Sequence, residues 1–360
     1  MTSCYSGFAQ ESFKSVEVHP DRSVTVRFRD MGAKEVMFQL EGAKPAAMSK
    51  DAEGVWSITT APLEPDYYGY MFLADGVPQL DSDNPNIKPN LIGVQNVFHV
   101  GGATPQPWEV ADVPHGVIHH HFYRSGVIGD ERDYYVYTPP GYDPTSKKKY
   151  PVLYLLHGYS DDASGWTAVG RANVILDNLV AQGKAKPMLV VMTLGYGAPE
   201  MVQKKWNAWS DTELKDRNFT KFRDALLTEV IPAIAKEYRV STKQQDTAIA
   251  GLSMGGSETL ITGLNNTEKF AWVGAFSSGG LGDELAKWLP SVDQKVNDKL
   301  KLLWISCGTE DGLIKPNREL VDWLKAKDVK LTFVEVPGGA HTWMVWRRNL
   351  ITFASQIFQK

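Results

Sequence analysis

Residues 247–256 read Thr247-Ala248-Ile249-Ala250-Gly251-Leu252-Ser253-Met254-Gly255-Gly256. An apolar run leads in, G-x-S-x-G occupies the centre, and a helical segment leaves from Gly256. The five-residue pattern alone is common by chance. Its placement between a strand and a helix makes it specific, because that is the setting of a nucleophile elbow. The turn is tight enough that bulky flanking residues would clash, so glycine stands at both outer positions. The serine oxygen is then held at the carboxyl edge of a sheet. The competing reading is a serine in an ordinary glycine-rich turn.

Outward from this stretch, buried strands alternate with helical patterns. Strands are expected at Pro151 to Leu156, Met188 to Thr193, Thr247 to Ala250, Ala271 to Phe276, Leu302 to Ser306 and Leu331 to Val336. Helices are expected over 171–182, 219–237, 256–264, 315–326 and 343–358. That alternation predicts an α/β fold with a mostly parallel sheet covered on both faces. The first hundred residues differ. Ser23 to Arg29 alternates with period two, as a half-buried strand should. Val36 to Leu40, Gly54 to Thr59, Tyr67 to Leu73 and Asn96 to Val100 are further short runs, and Asp75-Gly76 is a turn signal. They predict a small all-β, immunoglobulin-like sandwich. The expected organisation is a flexible N-terminus (1–12), a sandwich (13–101), a Gly/Pro-rich linker (102–112) and an α/β domain (113–360).

The 360 residues are 43% hydrophobic and 22% charged, with a formal net charge of -4. This excludes a disordered chain and gives no basic excess for nucleic acid. No run of 18 apolar residues predicts a membrane span. Two cysteines, Cys4 and Cys307, cannot build a disulfide scaffold. The opening MTSCYSGFAQ lacks the basic and apolar regions of a signal peptide. Ser6 to Gln10 reads as the tail of a truncated export signal or as an ordinary start, and Cys4 lacks the apolar run of a lipid-attachment site. There are 11 tryptophans, and only Trp56 and Trp108 precede residue 150.

A serine hydroxyl needs a base to take its proton. After Ser253 the sequence holds one histidine, His341, in a loop between the last strand and the last helix. The acid should follow the strand ending at Cys307, in Gly308-Thr309-Glu310-Asp311-Gly312. Asp311 or Glu310 would fix the imidazole tautomer. Asp311 is preferred; Asp283 lies one strand too early. Two backbone donors must meet the oxyanion. Met254 N–H follows the nucleophile directly, and Tyr159 N–H lies in the loop after Leu156. His157 reads as a structural histidine anchoring that loop.

Four pieces carry a resemblance: Leu155-Leu156-His157-Gly158, Gly251 to Gly256, Gly308-Thr309-Glu310-Asp311 and Gly339-Ala340-His341-Thr342-Trp343. Together they resemble the esterase-D-like branch of α/β-hydrolases, and within it carbohydrate esterase family 1, the feruloyl and acetylxylan esterases. Arg132 to Tyr142 matches that branch too, so the resemblance covers about residues 112–360. The first hundred residues resemble, less specifically, the sandwich modules related to family 48 carbohydrate-binding modules, with Asp81 to Asn86 in keeping. The resemblance implies a secreted or periplasmic carboxylic ester hydrolase that acts on feruloylated xylan or xylo-oligosaccharide. It would use Ser253, His341 and Asp311 through an acyl-enzyme, without metal or organic cofactor.

The tryptophans bear on the acyl group. Trp166, Trp206, Trp209, Trp343 and Trp346 lie on or beside loops expected to ring Ser253, and a planar phenolic acid gains from such walls where acetate does not. Asp162 would bond a substrate hydroxyl or hold its own loop. In the sandwich, Trp56, Tyr67, Tyr68 and Tyr70 read as core before sugar platform. The run His119-His120-His121, with His115, reads as exposed strand rather than metal pair. Alternatives to a feruloyl esterase are an acetylxylan esterase and a siderophore (enterobactin-type) esterase. The latter would want a basic pocket, for which Lys204, Lys205, Arg217, Arg347 and Arg348 are the candidates. A non-catalytic carbohydrate-binding protein is opposed by the complete triad. No nucleic acid or membrane partner is expected.

Overall fold

A computed structural model describes residues 14–282 and 284–359. Cys4, the segment Ser6 to Gln10 and Asp283 lie outside the described residues. The chain divides into two units, one of residues up to 88 with 95–104, the other of 89–94 with 105 onward.

The first unit is all antiparallel β. One sheet orders Val16–Val18, Val24–Arg29, Val55–Thr59 and Ser49–Lys50. The other orders Ala46–Ala47, Val36–Leu40, Asp66–Ala74, Gln95–Val100 and Ile87–Lys88, with Val77–Gln79 beside Asp66–Ala74. Alternate residues Val24, Val26, Val36, Phe38, Tyr70 and Phe72 are buried, as one-sided strands require. Phe28 meets Phe72 at 4.6 Å between ring centroids. Trp56, Tyr68 and Tyr70 are core residues, 6%, 5% and 0% exposed. Asp81 to Asn86 is a polar turn tied inward: Tyr70 O–H donates to Asp81 Oδ2 at 2.5 Å, and Asn84 Nδ2 donates to Tyr70 Oη at 2.8 Å.

The second unit carries one sheet. We number its strands β1 (Val117–Arg124), β2 (Glu131–Thr138), β3 (Val152–Leu156), β4 (Leu189–Thr193), β5 (Thr247–Leu252), β6 (Trp272–Phe276), β7 (Leu302–Gly308) and β8 (Thr332–Val336). Their order is β1-β2-β4-β3-β5-β6-β7-β8. The β1–β2 and β2–β4 pairs are antiparallel, and every pair from β4 to β8 is parallel. The principal helices are α1 (Ala172–Ala181), α2 (Thr212–Ala225), α3 (Met254–Asn265), α4 (Ile314–Lys325) and α5 (Trp343–Ala354). Strands β3, β4, β5 and β6 are buried along their whole length. That is why they read as continuous apolar runs rather than as alternation. Each fully buried Leu, Val or Phe there contributes about 1.5–3 kcal/mol. This is an α/β-hydrolase sheet, with β5 at its centre and the elbow at its carboxyl end.

One stretch differs from the sequence expectation. Residues 105–112 of the expected linker pack on the second unit. Trp108 is 2% exposed, and the carbonyls of Pro107 and Glu109 both accept from Asn178 Nδ2 at 2.9 Å. Strand β1 is the sheet edge, and its histidines are engaged locally. His120 stacks on Tyr135 at 4.0 Å, His121 on Tyr134 at 4.9 Å, and His115 Nδ1 lies 3.0 Å from Asp177 Oδ2. Among the described residues no group of three or more His, Cys, Asp or Glu is arranged to hold a metal ion.

Candidate active site

Ser253 directly follows β5 at φ 52°, ψ −116°, a conformation an L-residue rarely takes. Such strain costs about 1–3 kcal/mol and persists only where the surroundings enforce it. Here they do: Ser253 N–H donates to Phe276 O at 2.8 Å, and Gly279 N–H donates to Ser253 O at 3.0 Å. The flanking glycines are a steric necessity. A Cβ on Gly251 would stand 2.4 Å from Gly255 O, and one on Gly255 would stand 2.4 Å from His157 O.

The hydroxyl of Ser253 donates to His341 Nε2 at 3.0 Å, and His341 Nδ1–H donates to Asp311 Oδ2 at 2.8 Å. His341 sits in the β8–α5 loop with its side chain 36% exposed, whereas that of Asp311 is fully buried. Asp311 Oδ1 also accepts from Leu313 N–H at 2.8 Å. Burial works to raise the Asp311 carboxyl, but the hydrogen bond and charge of His341 and the Leu313 N–H outweigh it and hold it below the usual carboxylate range. Glu310, the other acid considered, is exposed.

Met254 N–H belongs to the first turn of α3, where helical N–H groups lack intrahelical acceptors. The helix dipole adds positive potential at the same place. The β3 exit loop lies against the elbow: a Cβ on Gly158 would be 3.3 Å from Ser253 Cβ. His157 sets this loop. It is 2% exposed; its Nδ1–H donates to Gly158 O at 2.8 Å, and its Nε2 accepts from Gly195 N–H at 2.8 Å. Those two bonds require the neutral Nδ1–H tautomer, and burial depresses the imidazole's basicity in agreement. A further brace went unnoticed in the sequence. Asn90 Nδ2 donates to Ser160 Oγ at 2.8 Å, and Leu91 N–H donates to Ser160 O at 2.7 Å. They hold Ser160, at φ 75°, beside Tyr159.

The aromatic residues divide differently from the expectation. Trp166, Trp343 and Trp346 are core, 0%, 2% and 6% exposed, and do not wall an acyl pocket. Trp166 donates its indole N–H to Leu156 O at 2.9 Å and meets Trp343 edge-on at 5.1 Å. Trp343 meets Trp346 at 5.5 Å, and Trp346 meets the His341 ring at 4.8 Å. They form a file of edge-to-face rings that supports the imidazole from behind. Trp209 and Trp206 instead meet Tyr159 edge-on, both at 5.1 Å. Trp209 also lies where a Cβ on Gly280 would fall, next to Gly279, whose own Cβ would be 3.8 Å from Ser253 Oγ. Trp206 is 64% exposed. Asp162 Oδ1 accepts from the Ser164 N–H and hydroxyl at 2.8 and 2.5 Å, so it holds its own loop.

The Tyr159 hydroxyl shares its proton between Met201 O at 2.7 Å and Lys205 O at 2.5 Å. One residue therefore ties the β3 exit loop to the segment that carries Trp206 and Trp209. Tyr159→Phe should raise KM for methyl ferulate about fivefold, the loss of one hydrogen bond. The effect on 4-nitrophenyl acetate, which has no acyl ring, should be smaller. Parallel steady-state kinetics measure the ratio.

Glu258, on α3, also escaped the sequence reading. It is 1% exposed, and neither carboxyl oxygen has a hydrogen-bond partner among the described residues. Burial raises it well above the ordinary glutamate range. The unfolded chain ionises first as pH rises, and stability therefore falls from the ordinary glutamate value upward. Glu258→Gln should remove that slope: its Tm relative to wild type should improve between pH 5 and pH 8, as differential scanning across pH would measure.

A strained serine, a histidine and a buried aspartate in hydrogen-bonded sequence, beside a helix N-terminus on this sheet, define the α/β-hydrolase class of ester hydrolases. The chain belongs to the Esterase family, whose profile matches residues 125–357. It is 30% identical over 328 residues to an endo-1,4-beta-xylanase/feruloyl esterase of Xylanibacter ruminicola, covering 90% of this chain and 43% of that protein. The chain thus spans less than half the length of that relative. A ferulic acid esterase from Anaeromyces mucronatus, solved in complex with ferulic acid, superposes with a TM-score of 0.61 at 24% identity over 72% of this chain and 98% of that one. The enterobactin esterase of Shigella flexneri superposes with a TM-score of 0.67 at 19% identity over 92% of each chain. The two structural likenesses speak to fold.

Proposed function

We propose that the chain hydrolyses feruloyl esters of arabinoxylan fragments through Ser253, His341 and Asp311. The observation that carries the mechanism is the unbroken relay from hydroxyl to imidazole to carboxylate, 3.0 and 2.8 Å long. Ser253 attacks the ester carbonyl while His341 takes its proton. The tetrahedral oxyanion is met by Met254 N–H and Tyr159 N–H, each such donor contributing about 10²–10³ in rate. His341 returns the proton to the leaving sugar oxygen, and the acyl group stays on Ser253. Water, losing its proton to His341, then releases the acid. Asp311 stays ionised throughout and holds His341 in the tautomer that can accept.

Trp206 and Trp209 beside Tyr159 support an aromatic acyl group over acetate. The cations available for a catecholate trilactone are mostly engaged elsewhere. Lys204 pairs with Asp211 at 2.6 Å and Arg217 with Glu200 at 3.1 Å. Arg347 is fully buried, with Nε donating to Val169 O, and Arg348 stands over the Trp108 ring at 4.9 Å. We propose further that the sandwich unit engages carbohydrate, Tyr67 stacked on His99 at 4.4 Å being its best-formed aromatic pair outside the buried core. Export follows from the substrate, since polymer-linked esters are met outside the cytoplasm.

The test is a hydrolysis panel of methyl ferulate, acetylated xylan and a catecholate trilactone. Methyl ferulate should be cleaved best. Faster turnover of acetylated xylan or of the trilactone would reassign the substrate while leaving the triad in place.

A further inference from the structure

Strand β1 carries Val117, His119 and His121 on one face, two residues apart. The triad makes no use of them. They line a pocket of about 420 Å³, together with Tyr142, Glu237 and Tyr238. That size is ordinary for a small-ligand site. Tyr238 links its rings: His119 and His121 each meet it edge-on at 5.8 Å, and Tyr142 lies 6.3 Å from it. We propose that this pocket binds a sugar unit of the xylan main chain, as a subsite separate from the triad that holds the polymer whose esters Ser253 cleaves. The inference rests on the arabinoxylan reading above and adds a second point of attachment to it.

The lining selects a neutral, amphipathic ligand. The half-buried rings of Tyr142 and Tyr238 offer apolar surface to the C–H face of a pyranose. Polar atoms stand beside them. Thr138 donates its hydroxyl to Val117 O at 3.4 Å, so His119 Nε2–H donates to Thr138 Oγ1 at 3.2 Å. The lone pair of His119 Nδ1 is then left to accept from a ligand hydroxyl. Burial, and after it the nearby His121, hold the His119 imidazole below its ordinary range, which keeps that nitrogen an acceptor at neutral pH. Glu237, its side chain 45% exposed, supplies a second acceptor; His121 Nδ1 stands 3.7 Å from its carboxylate, beyond hydrogen-bond reach. Among the described residues no lysine or arginine lines the pocket, and its one carboxylate repels an anion. Free ferulate or phosphate is therefore a poor occupant, whereas sugar hydroxyls can donate to both acceptors.

The position suits a polymer. β1 is the sheet edge and stands four strand spacings from β5, about 19 Å across the sheet. Val117 pairs with Thr138, and Tyr137 pairs with Val190 near the start of β4. The pocket thus lies toward the amino ends of the parallel strands, whereas Ser253 follows the carboxyl end of β5. A single small ester cannot reach both places, and a polysaccharide can.

Isothermal titration with xylohexaose, which carries no ester, reads the site directly. The variants are made in a Tyr67→Ala background, so that sugar bound by the sandwich does not mask the change. His119→Ala and Tyr142→Ala should each weaken binding about fivefold, through loss of one hydrogen bond and of one ring face. Val117→Arg keeps every ring and fills the pocket from a position 55% exposed. It should abolish measurable binding at unchanged Tm. None of the three should alter kcat/KM on methyl ferulate. Undiminished affinity in Val117→Arg, or no binding by the Tyr67→Ala parent, would overturn the proposal. Failure to cleave methyl ferulate would instead overturn the feruloyl reading of the catalytic site, and pocket-dependent affinity for xylohexaose would stand apart from it.

Discussion

Ser253→Ala should lower kcat on methyl ferulate by about 10⁶-fold with little change in Tm. The size follows from the way such groups act as a unit. Without the nucleophile, His341 has no hydroxyl proton to take and Asp311 has no imidazolium to stabilise. His341→Ala should cost about as much, and the double variant should be no slower than either single one. Residual rate above water would come from the oxyanion donors and binding alone. Stability should be spared because alanine at φ 52° is no more strained than serine, and the Phe276 and Gly279 bonds that fix the elbow are main-chain. Retention of wild-type rates by Ser253→Ala would end the mechanism.

Asp311→Asn should cost about 10⁴-fold in kcat. The substitution keeps volume and one carbonyl oxygen. It inverts the tautomer logic, because an amide N–H turned toward Nδ1 requires the His341 proton to sit on Nε2. That nitrogen must accept from Ser253, at 3.0 Å, for attack to occur. The buried side chain has no room to redirect, with Leu313 N–H also upon it. A loss under tenfold would remove Asp311 from the role and return attention to Glu310.

The central sheet was open to reading because its strands are uniformly apolar. Thr247 to Ala250 and Ala271 to Phe276 were marked within two residues of β5 and β6. The helix starting at Thr212 was read as beginning at 219, and the reason is physical. Its first turns are polar, and its start is set by Asp211, whose carboxylate accepts from Leu214 N–H at 3.0 Å. A cap is a local bond with no periodicity to betray it. The candidate nucleophile, base and acid follow from chain order, since one histidine lies downstream of Ser253. Their supports do not. Glu258 and Asn90 matter through what stands opposite them across strands and loops, and no spacing in the sequence encodes that. The tryptophans illustrate the same limit. Nearness to His341 along the chain put Trp343 and Trp346 on a pocket wall, whereas α5 turns both rings inward beneath the base.

The segment 89–94 belongs to the second unit although the residues on both sides of it belong to the first. The polypeptide is thus threaded from one unit to the other and back before it finally stays. A minimal enzyme cut at residue 105 would look whole by sequence and by family profile, which begins at 125. It would nonetheless lack Asn90 and Leu91, and with them the three hydrogen bonds that hold Ser160 and Asp161 next to the proposed oxyanion donor. The second unit is thus not a contiguous stretch of sequence, and its first residues, 89–94, lie inside the sandwich's span.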